Sequence, residues 1–199
     1  RLLRPYKKRN TFKLNRVFLI IAVLFLFIYP VKTFTAQFQN EVDIVFENAE
    51  TATIVGEDGS IMRTENGGLN WIQQSGNITN VLISIEFYSY IDRNNNIVKI
   101  ELVTGENGLI LKSTDDGSSW RLIQSGTTEN LNDIVACSRD MFFICGNNGT
   151  LLSSIDLGES WQPIDLKSTI DLNHLATLGQ STMVKTINTV AVGDNGTIF

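Results

Sequence analysis

Ser113-Thr114-Asp115-Asp116-Gly117-Ser118-Ser119-Trp120, with Gly105-Glu106-Asn107-Gly108 ahead of it, is the stretch that decides how this chain folds. The pair recurs. Gly56-Glu57-Asp58-Gly59 leads to Thr64-Glu65-Asn66-Gly67-Gly68-Leu69-Asn70-Trp71, and Gly146-Asn147-Asn148-Gly149 leads to Ser154-Ile155-Asp156-Leu157-Gly158-Glu159-Ser160-Trp161. Gly193-Asp194-Asn195-Gly196 opens a fourth copy. Self-similarity at this spacing marks a repeat architecture, in which each unit buries its apolar face against its neighbours.

Each copy reads as an antiparallel hairpin with a demanding turn at either end. Asn-Gly and Asp-Gly pairs supply the positive φ angles of a tight first turn. Ile61, Ile110, Leu151 and Ile198 follow as the apolar start of a departing strand. In the second turn, Asn66, Asp115 and Asp156 are placed to accept backbone N–H groups of their own loop. Gly68, Gly117 and Gly158 take conformations that a side chain resists. Trp71, Trp120 and Trp161, all the tryptophans in the chain, supply apolar area and an indole N–H that needs a partner. Thr64, Ser113 and Ser154 open the three boxes. These twelve residues form the structural frame, ahead of any chemistry.

The box resembles the Asp-box, or bacterial neuraminidase repeat. The longer pattern, continued by Gln74-Ser75-Gly76-Asn77-Ile78-Thr79 and Gln124-Ser125-Gly126-Thr127-Thr128, is most similar to the photosystem II assembly/stability factor family of Asp-box β-propellers. The resemblance runs from about Val42 to the end. It implies an all-β propeller, about three blades plus a partial one, with no catalytic residue, no cofactor and no metal. It also implies an assembly, stability or accessory subunit of a membrane protein complex, with a photosynthetic reaction centre or photosystem first. Members of that family use a basic patch, and this domain is acidic. The alternative is an extracytoplasmic glycan- or protein-binding receptor domain of the sialidase/Asp-box type. Sialidase catalysis itself needs an arginine triad and a Tyr nucleophile; beyond residue 32 the arginines are Arg63, Arg93, Arg121 and Arg139, and two of them border boxes.

Charge is segregated. Of 16 basic residues, seven fall within residues 1–16, leaving nine against 21 acidic residues in the remainder. Nucleic acid is therefore not an expected partner, since its binding domains are basic. Val17 to Tyr29 is uncharged and apolar. It is short of the roughly 20 residues of a full span, but flanking Lys13, Arg16 and Lys32 can snorkel. Phe34-Thr35-Ala36 is a poor signal-peptidase site. The expected organisation is a basic cytoplasmic leader (1–16), a single transmembrane signal-anchor helix (17–31), a linker (32–41) and a partial propeller (42–199). Positive-inside orientation puts the propeller on the periplasmic or lumenal side of an inner or photosynthetic membrane. The final stretch enters a hairpin without completing it, which reads as part of a longer protein; a stop codon directly after Phe199 would refute that.

The remaining polar residues read as structural. His174, the only histidine, has no nucleophile motif near it and occupies the position equivalent to Asp133. Cys137 and Cys145 read as offset, buried small hydrophobes, although an oxidising compartment would permit a disulfide. The sequons at Asn148 and Asn195 coincide with Asn-Gly turns. The loop Tyr88 to Asn96 is the candidate partner-binding segment, because Tyr88, Tyr90 and Arg93 are residue types enriched at interface hot spots.

Overall fold

A computed structural model describes residues 40–74, 78–138, 140–177 and 189–199. The anchor segment 17–31 and Arg139 lie outside them. Among the described residues no helix is long and apolar enough to cross a membrane. The repeats fold as expected, into four-stranded antiparallel meanders. Blade 1 runs β1 (Glu41–Phe46), β2 (Ala52–Gly56), β3 (Ile61–Thr64), β4 (Ile72–Gln73). Blade 2 runs β5 (Leu82–Ile91), β6 (Ile97–Gly105), β7 (Ile110–Ser113), β8 (Arg121–Ile123). Blade 3 runs β9 (Leu131–Ala136), β10 (Phe142–Gly146), β11 (Leu151–Ser154), β12 (Gln162–Pro163). β13 (Leu172–Thr177) and β14 (Thr189–Gly193) open a fourth blade, extended by a bridge from Val192 to Ile198. In each blade the Gly-x-x-Gly turn joins the second strand to the third, and the box joins the third to the fourth.

The second strands explain the stacking. All five residues of β2 and the last six of β6 are buried, as befits strands covered on both faces. One face of each meander packs on the next. Val55, Ile61, Leu82, Val103 and Leu111 fill the seam between blades 1 and 2. Leu102, Ile110, Leu131, Ile144 and Phe142 fill the next. Val135, Cys145, Leu172 and Ala191 fill the third. Each such Val, Leu, Ile or Phe side chain contributes about 1.5–3 kcal/mol by leaving water.

Two details differ from the sequence reading. β5 continues through Tyr90 to Ile91, paired residue for residue with β6 down to Ile97, so the loop shrinks to Asp92–Asn96. Asp92 caps that tight turn by accepting the N–H groups of Asn94 and Asn96. Tyr88 and Tyr90 are thus strand residues, half-buried against blade 3, rather than loop residues. Every first strand also carries a β-bulge at one position: the register slips between Glu41 and Asp43, Leu82 and Ser84, Cys145 and Gly146 opposite Asp133 and Leu131, and Leu172 and His174. A bulge bends its strand and re-aims the side chain beside it.

Candidate functional site

Each box is hydrogen-bonded to itself. In blade 2 the Ser113 hydroxyl donates to Asp115 Oδ1 (2.9 Å) and accepts the Gly117 N–H (2.9 Å). Asp115 accepts the Ser119 N–H (2.9 Å) and hydroxyl (2.6 Å). Ser154, Asp156, Gly158 and Ser160 repeat the arrangement in blade 3. In blade 1, Thr64 and Asn66 make the same contacts to Gly68 and Asn70 with a single amide oxygen. The Ser119 hydroxyl and N–H hold the Asp115 carboxyl below its usual range. Burial pushes Asp156 up, but Ser160 and Ser154 outweigh it and the net shift is downward. These carboxylates are occupied in forming turns.

The boxes also join blades. Trp161, only 6% exposed, packs in the seam between blades 2 and 3, and Trp120 lies in the seam between blades 1 and 2. Their indole N–H groups are buried without a hydrogen-bond partner. A Cβ on Gly158 would meet Leu102 of the preceding blade at 2.9 Å, so this glycine is required by close approach as well as by its φ of +78°. A cation on the third strand of one blade reaches the box of the next. Lys112 Nζ donates to Leu157 O (2.5 Å) and Glu159 Oε1 (2.7 Å), and Arg121 joins the same Glu159. Arg63, 5% exposed, pairs with buried Glu47 and Glu101 and stands 3.8 Å from Asp116. The arginines nearest the boxes, Arg63 and Arg121, are thus blade connectors.

Of the proposed binding trio, Tyr88 packs edge-on against Phe142 of blade 3, with ring centroids 5.7 Å apart. Tyr90 is half-buried beside it, and only Arg93 belongs to the turn. What the tip of this hairpin presents is the cross-strand pair Ile91 and Ile97, 62% and 70% exposed. Cys137 and Cys145 are free and buried.

One group was not recognisable from the repeats alone. Immediately after the four bulges stand Asp43, Ser84, Asp133 and His174, at equivalent positions on the innermost strands. Asp43 Oδ2 accepts the Ile85 N–H of the next blade (2.9 Å), and Asp133 Oδ2 accepts the Leu175 N–H of the next (2.7 Å). The Ser84 hydroxyl lies 3.0 Å from Asp43 Oδ2 and 3.2 Å from Asp133 Oδ1. His174 Nδ1 is 3.9 Å from Asp133 Oδ2. Burial pushes Asp43 up and raises Asp133 to about 6 against the pull of the Leu175 N–H. The equivalence of Asp133 and His174 was the one sign of this row in the sequence; the polar residues differ from copy to copy, so no motif forms.

Residues 30–129 match the family of the photosynthesis system II assembly factor YCF48. Among solved structures, YCF48 from Cyanidioschyzon merolae superposes with a TM-score of 0.57 at 18% identity, covering 83% of this chain and 52% of that one. A structure described as YCF48 bound to D1 peptide gives a TM-score of 0.56 at 20% identity, over 78% and 48% of the two chains. The chain therefore spans about half the length of the structures it matches, and the likeness to them is one of fold. No curated protein matches. With half of its residues matched to the family and its Asp-box blades stacked as in those structures, this chain belongs to the family of the photosynthesis system II assembly factor YCF48.

Proposed function

We propose that this protein is a non-catalytic assembly, stability or accessory factor for a photosynthetic reaction centre of the photosystem II kind, acting by surface binding. The observation that carries the reading is the family match over residues 30–129. The boxes support it: their carboxylates are engaged in their own turns, which fits a scaffold. The relative described as bound to D1 peptide makes a polypeptide segment of a photosystem subunit the first partner to test. In this reading residues 17–31 tether the propeller to the same membrane as its partner, raising the effective concentration. Residues 32–41 are the linker, and the propeller faces the lumen or periplasm. The β5–β6 tip, with Ile91, Arg93 and Ile97 outermost and Tyr90 beside them, is the proposed contact. The test is mild-detergent extraction of native membranes, native electrophoresis and mass spectrometry of the band. Stoichiometric migration with reaction-centre subunits, weakened by Ile91→Ser/Ile97→Ser, is expected. Migration as a lone monomer would overturn the reading.

A further inference from the structure

The row Asp43–Ser84–Asp133–His174 crosses three seams, and its hydrogens do not balance when every acid is ionised. Ser84 carries one hydroxyl hydrogen, yet carboxylate oxygens of Asp43 and Asp133 both lie within hydrogen-bond distance of its oxygen. One O–H can serve one acceptor at a time. The second carboxylate then faces a lone pair, and two anions confront each other across one oxygen. A single added proton resolves this: one carboxyl donates to Ser84 Oγ, and the Ser84 O–H donates to the other.

We propose that this row is a proton-responsive clasp, in which uptake of one proton by the facing Asp43–Asp133 pair completes the chain through Ser84 and tightens the seams on either side of blade 2. The same carboxylates hold the Ile85 and Leu175 N–H groups of the following blades, so their ordering bears on blades 1 to 4 together. The other groups facing Asp133 are few. His174 on β13 is 60% exposed. Cys145 on β10 sits opposite, its thiol pushed up by burial. Glu86 lies two residues beyond Ser84 on the same face of β5, and Glu106 is in the turn against the Leu131 end of β9. Lys99 and Glu101 are on the opposite face of β6, in the Arg63 network. His174 is thus the only other described group close to the pair that could carry a positive charge, and it must be separated from the clasp by experiment.

In the whole protein, carbon-detected NMR of the Asp133 carboxyl is expected to titrate near pH 6. The melting temperature is expected to rise on going from pH 7.5 to 5.5 by about 2–3 °C. His174→Gln should keep that rise. Asp133→Asn should lose most of it, even though its absolute stability falls because Asp133 accepts the Ile134 N–H on Oδ1 and the Leu175 N–H on Oδ2, and an amide keeps one acceptor oxygen for the two. A carboxyl midpoint below about 4.5, within the range of ordinary aspartates, would overturn the proposal. So would a rise that survives Asp133→Asn undiminished or vanishes in His174→Gln. If Asp133→Asn does not fold, the carboxyl titration of the native protein decides.

Discussion

Arg63→Met removes the only cation, among the described residues, that touches two buried carboxylates at once. Arg63 pairs with Glu47 and Glu101, whose side chains are 4% and 2% exposed, and Thr53 donates to Glu101 Oε1 at 2.6 Å. Burial alone would depress the guanidinium; its hydrogen bond and pairing with Glu47 raise it instead, so it is charged at every accessible pH. Methionine fills similar volume, which confines the perturbation to charge. Breaking a buried pair by deleting one partner costs about 3–5 kcal/mol, because the remaining charge is stranded. Lys99 still reaches Glu47 Oε2 at 3.1 Å, so the lower half of that range applies. At about 2–4 °C per kcal/mol for a chain this size, the melting temperature should fall by roughly 10 °C at pH 7.5.

The pH dependence of the loss is the sharper assay. Burial already raises Glu101 above its ordinary value with Arg63 present. Without the cation its folded pKa climbs further, while the unfolded value stays near 4.3. A raised acid favours the folded state below the unfolded pKa and loses that advantage as pH rises through the folded one. The deficit of Arg63→Met should therefore shrink as pH falls from 7.5 to 5, and Glu101→Gln on the Arg63→Met background should remove much of it. A deficit below about 1 kcal/mol, as for an exposed pair, or one independent of pH, would refute the buried-network account.

Three further outcomes can be read by urea unfolding. Gly149→Ala places a Cβ 2.0 Å from Ser168 O at a φ of +68°, so a loss of at least about 2 kcal/mol is expected, and a neutral result would show that the 164–171 connection yields freely. Phe142→Ala deletes a fully buried ring and the edge contact of Tyr88, for a loss of about 3–5 kcal/mol. Lys112→Met and Glu159→Gln should be coupled by about 1 kcal/mol in a double-mutant cycle, since Lys112 is buried and its 2.7 Å bond to Glu159 crosses a seam; additivity would remove the box from the inter-blade contacts.

The features legible in the sequence are those that each repeat states in full by itself. Asp115, Gly117 and Trp120 lie within one octapeptide, and the hydrogen bonds of Asp115 and Gly117 close inside it, so pattern and chemistry coincide. The Gly-x-x-Gly turns were legible in part. Asn107 and Gly108 do take left-handed φ angles of 57° and 70°. A Cβ on Gly108 would also strike Thr127 O at 2.1 Å, and that close approach of the chain entering the next blade carries no local signature. Tyr88 and Tyr90 were misplaced because aromatic and β-branched residues suit a strand as well as a loop rim; register with Ile97 to Ile100 decided the matter. The Arg63–Glu101 pair joins residues 38 positions apart in neighbouring blades, and the Asp43–Ser84–Asp133–His174 row joins one residue per blade, each 40 or more positions from the next and of varying identity. Such contacts exist only once the blades are stacked.

The two placements of acid in this fold pull stability in opposite directions. Seam carboxylates (Asp43, Glu101, Asp133) are raised chiefly by burial, so each favours the folded state in acid and loses that contribution as pH rises through its folded value, about 6 for Asp133. Turn and box carboxylates are depressed: Asp58 by Ser60, Asp115 by Ser119, and Asp156 and Glu159 by partners that outweigh their burial. Their contributions are present above the unfolded values near 4 and vanish as pH falls through the folded ones. Stability should accordingly peak in mild acid, between about pH 4.5 and 6. Glu159→Gln should flatten only the acid limb, because it removes a carboxyl that hydrogen bonds from Lys112 and Arg121 hold below its usual range. Asp133→Asn should flatten only the neutral limb. A profile with a single limb, or one variant flattening both, would mean that seams and turns titrate as one network and that the separation between repeat frame and blade stacking does not hold.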